Sequence, residues 1–128
     1  MARVVDIHGA GRHGEDRAAR HYVERGYAVV ARNWRWPGGE IDLVVVRDDQ
    51  LVVVEVRVRS SDSRGSAAVS VGALKRSRLR ASALAFAAAH PEWLAGGYRH
   101  LRIDVVTIDR GRLAVIRSAM GADEQDGC

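Results

Sequence analysis

The sequence predicts an α/β domain with a mixed central sheet flanked by helices. Residues 39–57 form two β-branched runs joined by a short polar turn, which indicates a hairpin. A long helical pattern then separates this hairpin from another strand, and that order implies a right-handed parallel crossover. The continuous valines of 44–46 and 52–54 indicate strands that are covered on both faces.

The residues before the hairpin predict one helix and one short strand. The helix covers residues 12–25, with Gly26 as its C-terminal stop. Its apolar stripe begins at Glu15 and continues through Ala18, Ala19, Tyr22 and Val23. Residues 27–32 are β-prone, whereas residues 33–39 combine aromatic residues with proline and glycine and predict a turn.

The residues after the hairpin predict a loop, a long helix and two strands. The loop covers residues 59–68, and the helix covers residues 71–90 with Pro91 as its stop. Residues 99–108 and 112–117 predict the two strands. We expect one domain over residues 1–118 and a disordered acidic tail at 119–128.

Composition narrows the class of protein. A net charge of +4 favours a polyanionic partner such as nucleic acid. Because the only cysteine is Cys128, a disulfide framework and a cysteine metal cluster are excluded. The sequence contains no apolar run near the roughly 20 residues that span a membrane, and its start lacks a secretory signal. We therefore expect a cytoplasmic protein with no membrane partner.

The hairpin sequence predicts half of a metal site. A turn at 48–49 places Asp42 opposite Glu55, and Glu40 opposite Arg57, with all four side chains on one face. Opposed Cβ atoms lie about 5 Å apart, so two carboxylates there repel unless a cation or a proton lies between them. Glu40 and Arg57 are predicted to form a cross-strand ion pair.

Three carboxylates would make this site suitable for phosphodiester hydrolysis. If Glu15, Asp42 and Glu55 converge, their oxygens suit Mg²⁺ or Mn²⁺. Such a metal activates water and stabilises charge on a phosphoryl oxygen, and a cation at position 57 can assist it. Two other interpretations stay open: Glu15 can simply complement the helix dipole, and Asp42 and Glu55 can belong to a structural arginine network.

Five sequence blocks resemble a known family. They are Gly11 to Glu15, Arg32 to Arg35, Gly39 to Val44, Val53 to Arg57 and Arg102 to Val106. In this order and spacing they are similar to the YraN-like family of predicted endonucleases, which is grouped with the PD-(D/E)xK nucleases and is similar to archaeal Holliday junction resolvases. The resemblance covers about residues 11–108 and implies a restriction-endonuclease-like αβββαβ core.

The resemblance also implies roles for individual residues. Asp42 and Glu55 match the two metal-binding acids of the nuclease motif, and Glu15 matches a third acid on the first helix. Position 57 matches the motif lysine, but this chain has Arg57. Lysine can lose its proton when buried, whereas arginine stays charged. A Mg²⁺-dependent endonuclease acting on branched DNA and a catalytically impaired nucleic-acid-binding module are therefore both open, and an interaction protein without nucleic acid is a third possibility.

Several basic residues are candidates for binding nucleic acid, and DNA is the expected partner. They are Arg12, Arg35, Lys75, Arg76 and Arg78. The basic part of the long helix either contacts phosphates or is an ordinary solvated face. Trp34 and Trp36 beside Arg35 either stack on bases or pack against a sheet edge. The resemblance to junction resolvases also implies a possible homodimer.

Overall fold

The protein forms a five-stranded mixed sheet with a helix packed on each face. The computed structural model describes residues 9–59, 73–92 and 100–117. Its elements are α1 (Gly9–Val23), β1 (Ala28–Trp36), β2 (Gly39–Arg47), β3 (Gln50–Arg59), α2 (Ala73–Ala89), β4 (His100–Asp109) and β5 (Arg112–Ile116). The predicted α/β fold class is confirmed, and the elements up to β4 follow the order αβββαβ. The predicted tail at 119–128 and most of the predicted loop at 59–68 lie outside the described residues.

Helix α1 ends at Val23, two residues before the predicted end, and Gly26 terminates it as the sequence predicts. Gly26 has φ +90° and its N–H donates to the Val23 carbonyl at 3.0 Å, while the Tyr27 N–H donates to the Tyr22 carbonyl at 3.0 Å. These two bonds form a Schellman motif, which needs a residue that tolerates the left-handed region. The rings of Tyr22 and Tyr27 also meet edge to face, with centroids 5.1 Å apart. The start of α1 differs from the prediction by three residues, since the helix begins at Gly9.

Strand β1 is longer than predicted. The sequence predicts a turn at 33–39, but β1 continues to Trp36, which pairs with Gly39. The two tryptophans explain this difference because both are held by α2. Trp34 packs edge to face on Phe86 with centroids 5.2 Å apart, and the Trp36 Nε1–H donates to Ser82 Oγ at 2.9 Å. These contacts support packing rather than base stacking as the role of both tryptophans.

The pairing of the central strands agrees with the predicted register. Strands β2 and β3 are antiparallel, with pairs from Arg47 opposite Gln50 to Leu43 opposite Val54. Strand β3 is parallel to β4, as the predicted crossover requires. Strands β1 and β5 are antiparallel to their neighbours and close the two edges, giving the order β1-β2-β3-β4-β5.

Buried side chains form one core on each face of the sheet. The α1-side core is Ala18, Ala19, Tyr22, Tyr27, Leu43, Val45, Val52, Val54, Val106 and Ile108. The α2-side core is Ile41, Val44, Val46, Leu51, Val53, Leu79, Ala83, Phe86, Ile103 and Val105. The valine runs are thus covered on both faces, as predicted. Val23 is an exception to the predicted helix stripe, because it is 52% exposed.

The two helices are amphipathic elements of this layered fold. Neither of them, within the residues that the structure describes, is long and apolar enough to cross a membrane. Helix α1 instead packs its small residues, Ala18 and Ala19, directly on the sheet. The close approach sets where the first turns of α1 lie relative to β3.

Candidate active site

Asp42 lies at an irregularity in β2. Ile41 and Val44 both pack into the α2-side core, although residues three apart on a regular strand face opposite sides. Leu43 and Val45 pack into the α1-side core, as expected for residues two apart. The alternation therefore breaks at Asp42. The prediction that Glu40, Asp42, Glu55 and Arg57 share one face assumes regular alternation along β2, and that assumption is wrong at Asp42.

The Asp42 side chain bridges the two strands of the hairpin. The backbone pairing of β2 with β3 extends to Leu43 opposite Val54. Beyond that pair, the Val56 N–H donates to Asp42 Oδ2 at 2.8 Å. A carboxylate oxygen thus takes the position of a backbone acceptor at the open end of the hairpin. This bond fixes the orientation of Asp42 and satisfies a backbone donor of β3.

The surroundings of Asp42 are strongly acidic. Burial, followed by the charges of Glu55, Glu15 and Glu40 in that order, raises the pKa of this carboxyl from 3.8 to about 7. The bond from the Val56 N–H lowers the pKa but does not offset these effects. Glu15, Asp42 and Glu55 were predicted to converge, and the charges of the two glutamates do act on Asp42. We call Glu15, Glu40, Asp42 and Glu55 the acidic end of the sheet.

Glu15 is placed by the tight docking of α1. Gly14 leaves no room for a side chain, because an added Cβ would lie 2.5 Å from Val58 Cγ2. Asp16 accepts a hydrogen bond from Arg32 Nη2 at 2.5 Å, which joins α1 to β1. Arg17 Nη1 donates to the Gly111 carbonyl at 2.8 Å, and Gly111 lies in the turn between β4 and β5. Residues on both sides of Glu15 therefore anchor the helix to the sheet.

Arg57 lies on the same face of β3 as Glu55. Leu51 and Val53 belong to the α2-side core, so alternation places residues 55 and 57 on that side as well. The Nη1 atom of Arg57 is buried and has no hydrogen-bond partner within residues 9–59, 73–92 and 100–117. An unsatisfied donor on a cation is costly unless another group completes it.

The predicted ion pair between Glu40 and Arg57 is replaced by a different one. Across the β1–β2 pairing, Arg35 lies opposite Glu40, and Arg35 Nε is 3.8 Å from Glu40 Oε2. The reason is the extra length of β1, which places Arg35 in the sheet instead of in a turn. This pair is at the surface, with Arg35 80% exposed.

The predicted nucleic-acid contacts are only partly within the described residues. Arg35 is exposed on β1 and Arg78 is exposed on α2, whereas Arg76 is half-buried. Arg12 lies in α1 and Lys75 in α2, but their side chains lie outside the described part of the chain. These roles stay predictions.

The acidic end has the donor chemistry of a metal site, but not a closed cage of ligands. In the part of the chain that the structure describes, no three acidic, histidine or cysteine side chains are arranged so that they could hold a metal ion by themselves. Mg²⁺ commonly takes only one or two protein carboxylates and fills its other positions with water and substrate oxygens. Asp42 with Glu55 meets that requirement, and their mutual repulsion is what a cation would relieve.

A polar network on the α1 side of the sheet is not predicted by the sequence. Asp104 is fully buried and accepts hydrogen bonds from Tyr22 Oη at 2.7 Å and from Arg102 Nε at 2.9 Å. Arg102 also donates to Gln50 at 2.8 Å and to Tyr27 at 3.0 Å. Only the spacing of Arg102 and Asp104 on one strand face gave a signal, and it identifies a pair but not its partners.

Comparison with known proteins assigns the chain to a family. Residues 14–108 match the family described as "Uncharacterised protein family UPF0102", and the chain belongs to that family. It is 47% identical over 118 residues to a UPF0102 protein of Burkholderia pseudomallei strain 1710b, covering 91% of this chain and 78% of that protein. A UPF0102 protein of Burkholderia thailandensis is 49% identical over 112 residues, covering 86% of this chain and 74% of its own length.

The matched region coincides with the structural features described above. It begins at Gly14, where α1 docks on β3, and ends at Ile108, near the end of β4. It therefore contains the acidic end, Arg57 and the polar network around Asp104. The acidic end and the polar network around Asp104 therefore both lie in the region that matches the family.

Proposed function

We propose that this protein is a metal-dependent endonuclease of the PD-(D/E)xK kind, similar to the YraN-like predicted endonucleases, that cleaves structured or branched DNA. The observation that carries the proposal is the state of Asp42. Its pKa is raised to about 7 by burial and by acidic neighbours, Glu55 first among them. Carboxylates in structural ion pairs have lowered pKa values, so this opposite shift favours a functional site over an arginine network.

Asp42 and Glu55 are the residues that would hold Mg²⁺ or Mn²⁺, with Glu15 completing the site. The metal, when bound, would activate water for attack and stabilise negative charge on a phosphoryl oxygen. The protein would orient the carboxylates that hold the metal. The Val56 N–H holds Asp42 Oδ2 at 2.8 Å, which leaves the other carboxylate oxygen for a cation. The anchored first turns of α1 hold Glu15 beside it.

Arg57 would act on the charge of the substrate. A guanidinium does not lose its proton at working pH, so Arg57 cannot serve as a general base. It can stabilise charge that develops on the phosphoryl group. The buried Nη1 atom supports this role, because a phosphate oxygen would supply the hydrogen-bond acceptor that it lacks among the described residues.

Nucleic acid would be held by basic residues around this centre. The net charge of +4 supports a polyanionic partner. We propose Arg12, Arg35, Lys75, Arg76 and Arg78 as phosphate contacts. These contacts would position the duplex without reading its sequence, as phosphate contacts generally do. The homodimer implied by the resemblance to junction resolvases stays a prediction.

The second candidate function is a module that binds nucleic acid without cutting it. Arg57 is the specific observation in its favour, because the resemblance implies lysine at this position and lysine alone can lose its proton. On this alternative the acidic end would keep its metal but would not complete the reaction. The two functions predict the same binding and differ only in the products.

A cleavage assay separates the two candidates. Purified protein is incubated with a four-way DNA junction and with linear duplex in Mg²⁺ or Mn²⁺, beside Asp42→Ala, Glu55→Ala and Arg57→Lys variants. The endonuclease predicts cleavage by wild type and losses of at least a hundredfold in both alanine variants. Glu24→Ala is the matched control, since Glu24 is an exposed acid near the opposite end of α1.

The remaining outcomes are equally informative. Cleavage that persists in both alanine variants would refute the proposed centre. Intact DNA with wild type but cleavage with Arg57→Lys would favour the binding module and would locate its defect at position 57. A gel shift with a steep salt dependence and no products in any variant would leave binding alone. Thermal unfolding with and without Mg²⁺ supplies a readout apart from activity, because bound metal stabilises only variants that keep Asp42 and Glu55.

A further inference from the structure

A small cavity lies on the α1 side of the sheet, away from the acidic end. Its volume is about 170 Å³. Its charged lining consists of Arg25, Arg47, Arg102, Arg117, His21 and Asp104. We call this cavity the arginine pocket. Arg47 is five residues from Asp42 along β2, which at about 3.3 Å per residue separates the two by roughly 16 Å.

One arginine of the pocket is already neutralised. Arg102 and Asp104 form an ion pair at 2.9 Å, and the Arg102 side chain is only 11% exposed. Asp104 is fully buried, so its charge is shielded behind this pair and the hydroxyl of Tyr22. Arg47 Nε also lies 3.8 Å from Asp48 Oδ2, but both side chains of this pair are exposed to water, which weakens the neutralisation. The charge that the pocket presents to a ligand therefore comes mainly from Arg25, Arg47 and Arg117.

Two of these cations are held in place by the end of α1. Arg25 Nη1 donates to the His21 carbonyl at 3.0 Å, and Arg47 Nη1 donates to the Arg25 carbonyl at 2.7 Å. The Arg47 guanidinium also lies over the Tyr27 ring, 4.6 Å from its centroid. These contacts occupy one nitrogen of each guanidinium, and a guanidinium has five N–H donors. The remaining donors are thus positioned before any ligand arrives.

The same clustering is unfavourable without an anion. Like charges that line one cavity repel each other. The field of Arg25 lowers the pKa of His21, after the larger effect of burial. The charges of Glu24 and Asp104 act on His21 in the opposite direction but do not offset these two causes. An anion in the pocket would offset the charge of Arg25 and relieve the repulsion between the arginines.

We propose that the arginine pocket binds a phosphoryl group. Arginine is the side chain best matched to phosphate oxygens, because its planar fork donates two parallel hydrogen bonds. Pockets for larger organic ligands usually measure about 300 to 1,000 Å³, so a cavity of about 170 Å³ suits a group of phosphate size. The group is either the terminal phosphate of a polynucleotide or a free phosphate ion. This site does not depend on the proposed cleavage at the acidic end.

Phosphate titration of the full-length protein tests the proposal. Binding of inorganic phosphate at constant ionic strength is measured by calorimetry and by the NMR titration of His21. We expect saturable binding that raises the pKa of His21. The double variant Arg25→Gln, Arg117→Gln should weaken binding at least tenfold, because both residues are exposed and can be replaced without disturbing the core. Arg112→Gln, which removes an exposed arginine of β5 outside the pocket, should change it less than twofold.

Oligonucleotides then identify the source of the phosphoryl group. A 5′-phosphorylated single strand is compared with the same strand ending in a hydroxyl. Tighter binding of the phosphorylated strand that is lost in the double variant supports a polynucleotide end, and equal binding of the two strands supports free phosphate. The proposal is overturned if inorganic phosphate does not bind wild type, or if the double variant and Arg112→Gln bind it equally. Wild-type protein that binds phosphate at the arginine pocket but leaves DNA intact in the cleavage assay would support this proposal and refute the nuclease, so the two can fail separately.

Discussion

Two buried aspartates, Asp42 and Asp104, occupy opposite electrostatic environments in the same sheet. Asp104 is fully buried and is bonded by a guanidinium and a tyrosine hydroxyl. Asp42 is less buried, accepts one backbone N–H, and is surrounded by the charges of three glutamates. Burial alone therefore does not identify a functional carboxyl. The neighbours decide, because cations make a carboxylate structural and other acids leave it in need of a cation or a proton.

This difference gives the two residues opposite expected effects on stability. Removing Asp104 should leave a buried cation without its partner, which is one of the costliest changes in a protein interior. Removing the charge of Asp42 should relieve repulsion and burial of an ion. Substitutions at these residues and at their neighbours test the comparison.

The largest effect is expected for Asp104→Ala. It leaves the Arg102 guanidinium, 11% exposed, without its carboxylate, so we expect a loss of about 3 to 5 kcal/mol in the free energy of unfolding. Urea unfolding at pH 7 measures it. Adding Arg102→Met should restore much of the loss, because the stranded charge is then removed as well. A loss below about 1 kcal/mol would mean that Asp104 is not the structural member of the pair.

A pH-dependent effect of a few kcal/mol is expected for Asp42. The pKa of Asp42 is raised from 3.8 to about 7, so between these values the folded protein holds a proton that the unfolded chain has released. Stability should therefore fall as pH rises from about 4 to about 7, by about 1.4 kcal/mol for each unit of pKa shift. Asp42→Asn keeps an acceptor for Val56 and should remove this dependence.

Urea unfolding with a chelator at pH 5 and pH 8 checks this expectation. Asp42→Asn should be the more stable protein at pH 8, and its advantage should shrink at pH 5. Glu24→Gln serves as the control that leaves the dependence unchanged. An advantage of wild type that grows toward pH 8 would show that Asp42 is ion-paired, and the contrast with Asp104 would disappear.

A smaller effect concerns the helix that carries Glu15. Gly14→Ala places a methyl group 2.5 Å from Val58 Cγ2, and overpacking of this kind costs about 1 to 3 kcal/mol. The helical preference of alanine returns up to about 1 kcal/mol, so a net loss should remain. In a Val58→Ala background the clash is gone, and Gly14→Ala should become stabilising. Chemical unfolding of the four proteins tests this change of sign, and equal effects in both backgrounds would contradict the packing argument.

The smallest effect on stability is expected for Arg35→Gln. Its pair with Glu40 is 3.8 Å long and Arg35 is 80% exposed, and surface pairs of this kind contribute at most about 1 kcal/mol. We expect a change within about 0.5 kcal/mol by thermal unfolding. Binding to DNA should respond instead, with the slope of log affinity against log salt reduced by about one if Arg35 contacts a phosphate. A large loss of stability would show that the pair supports the acidic end.

The sequence predicts those features that depend on short-range patterns. The turn at 48–49 fixes the register of β2 and β3, and Gly26 fixes the end of α1, because each depends on a few neighbouring residues. The hairpin register predicts Glu55 near Asp42, whereas Glu15 is assigned to the site through the family resemblance, and the charges of both glutamates act on Asp42. The roles of these residues as metal ligands stay predictions.

The features that the sequence does not predict depend on contacts between distant elements. Trp34 and Trp36 favour a turn by their local context, but contacts with α2 extend β1 through them. The irregularity at Asp42 breaks a strand alternation that sequence reasoning must assume. The hydrogen bond from Tyr22 to Asp104 joins residues 82 positions apart, so no local sequence pattern predicts it.

The parallel pairing of β3 with β4 determines when the acidic end can be completed during folding. Each pair, such as Gln50 with His100, joins residues 50 positions apart, whereas the β2–β3 hairpin closes over two residues. Hairpins form in about 1 to 10 μs, and pairings with long sequence separation form later because their loops cost more entropy to close. Glu15, Asp42 and Glu55 are all synthesised before β4. We therefore expect Asp42 to stay in contact with water until β4 pairs with β3, which makes its burial a late step of folding.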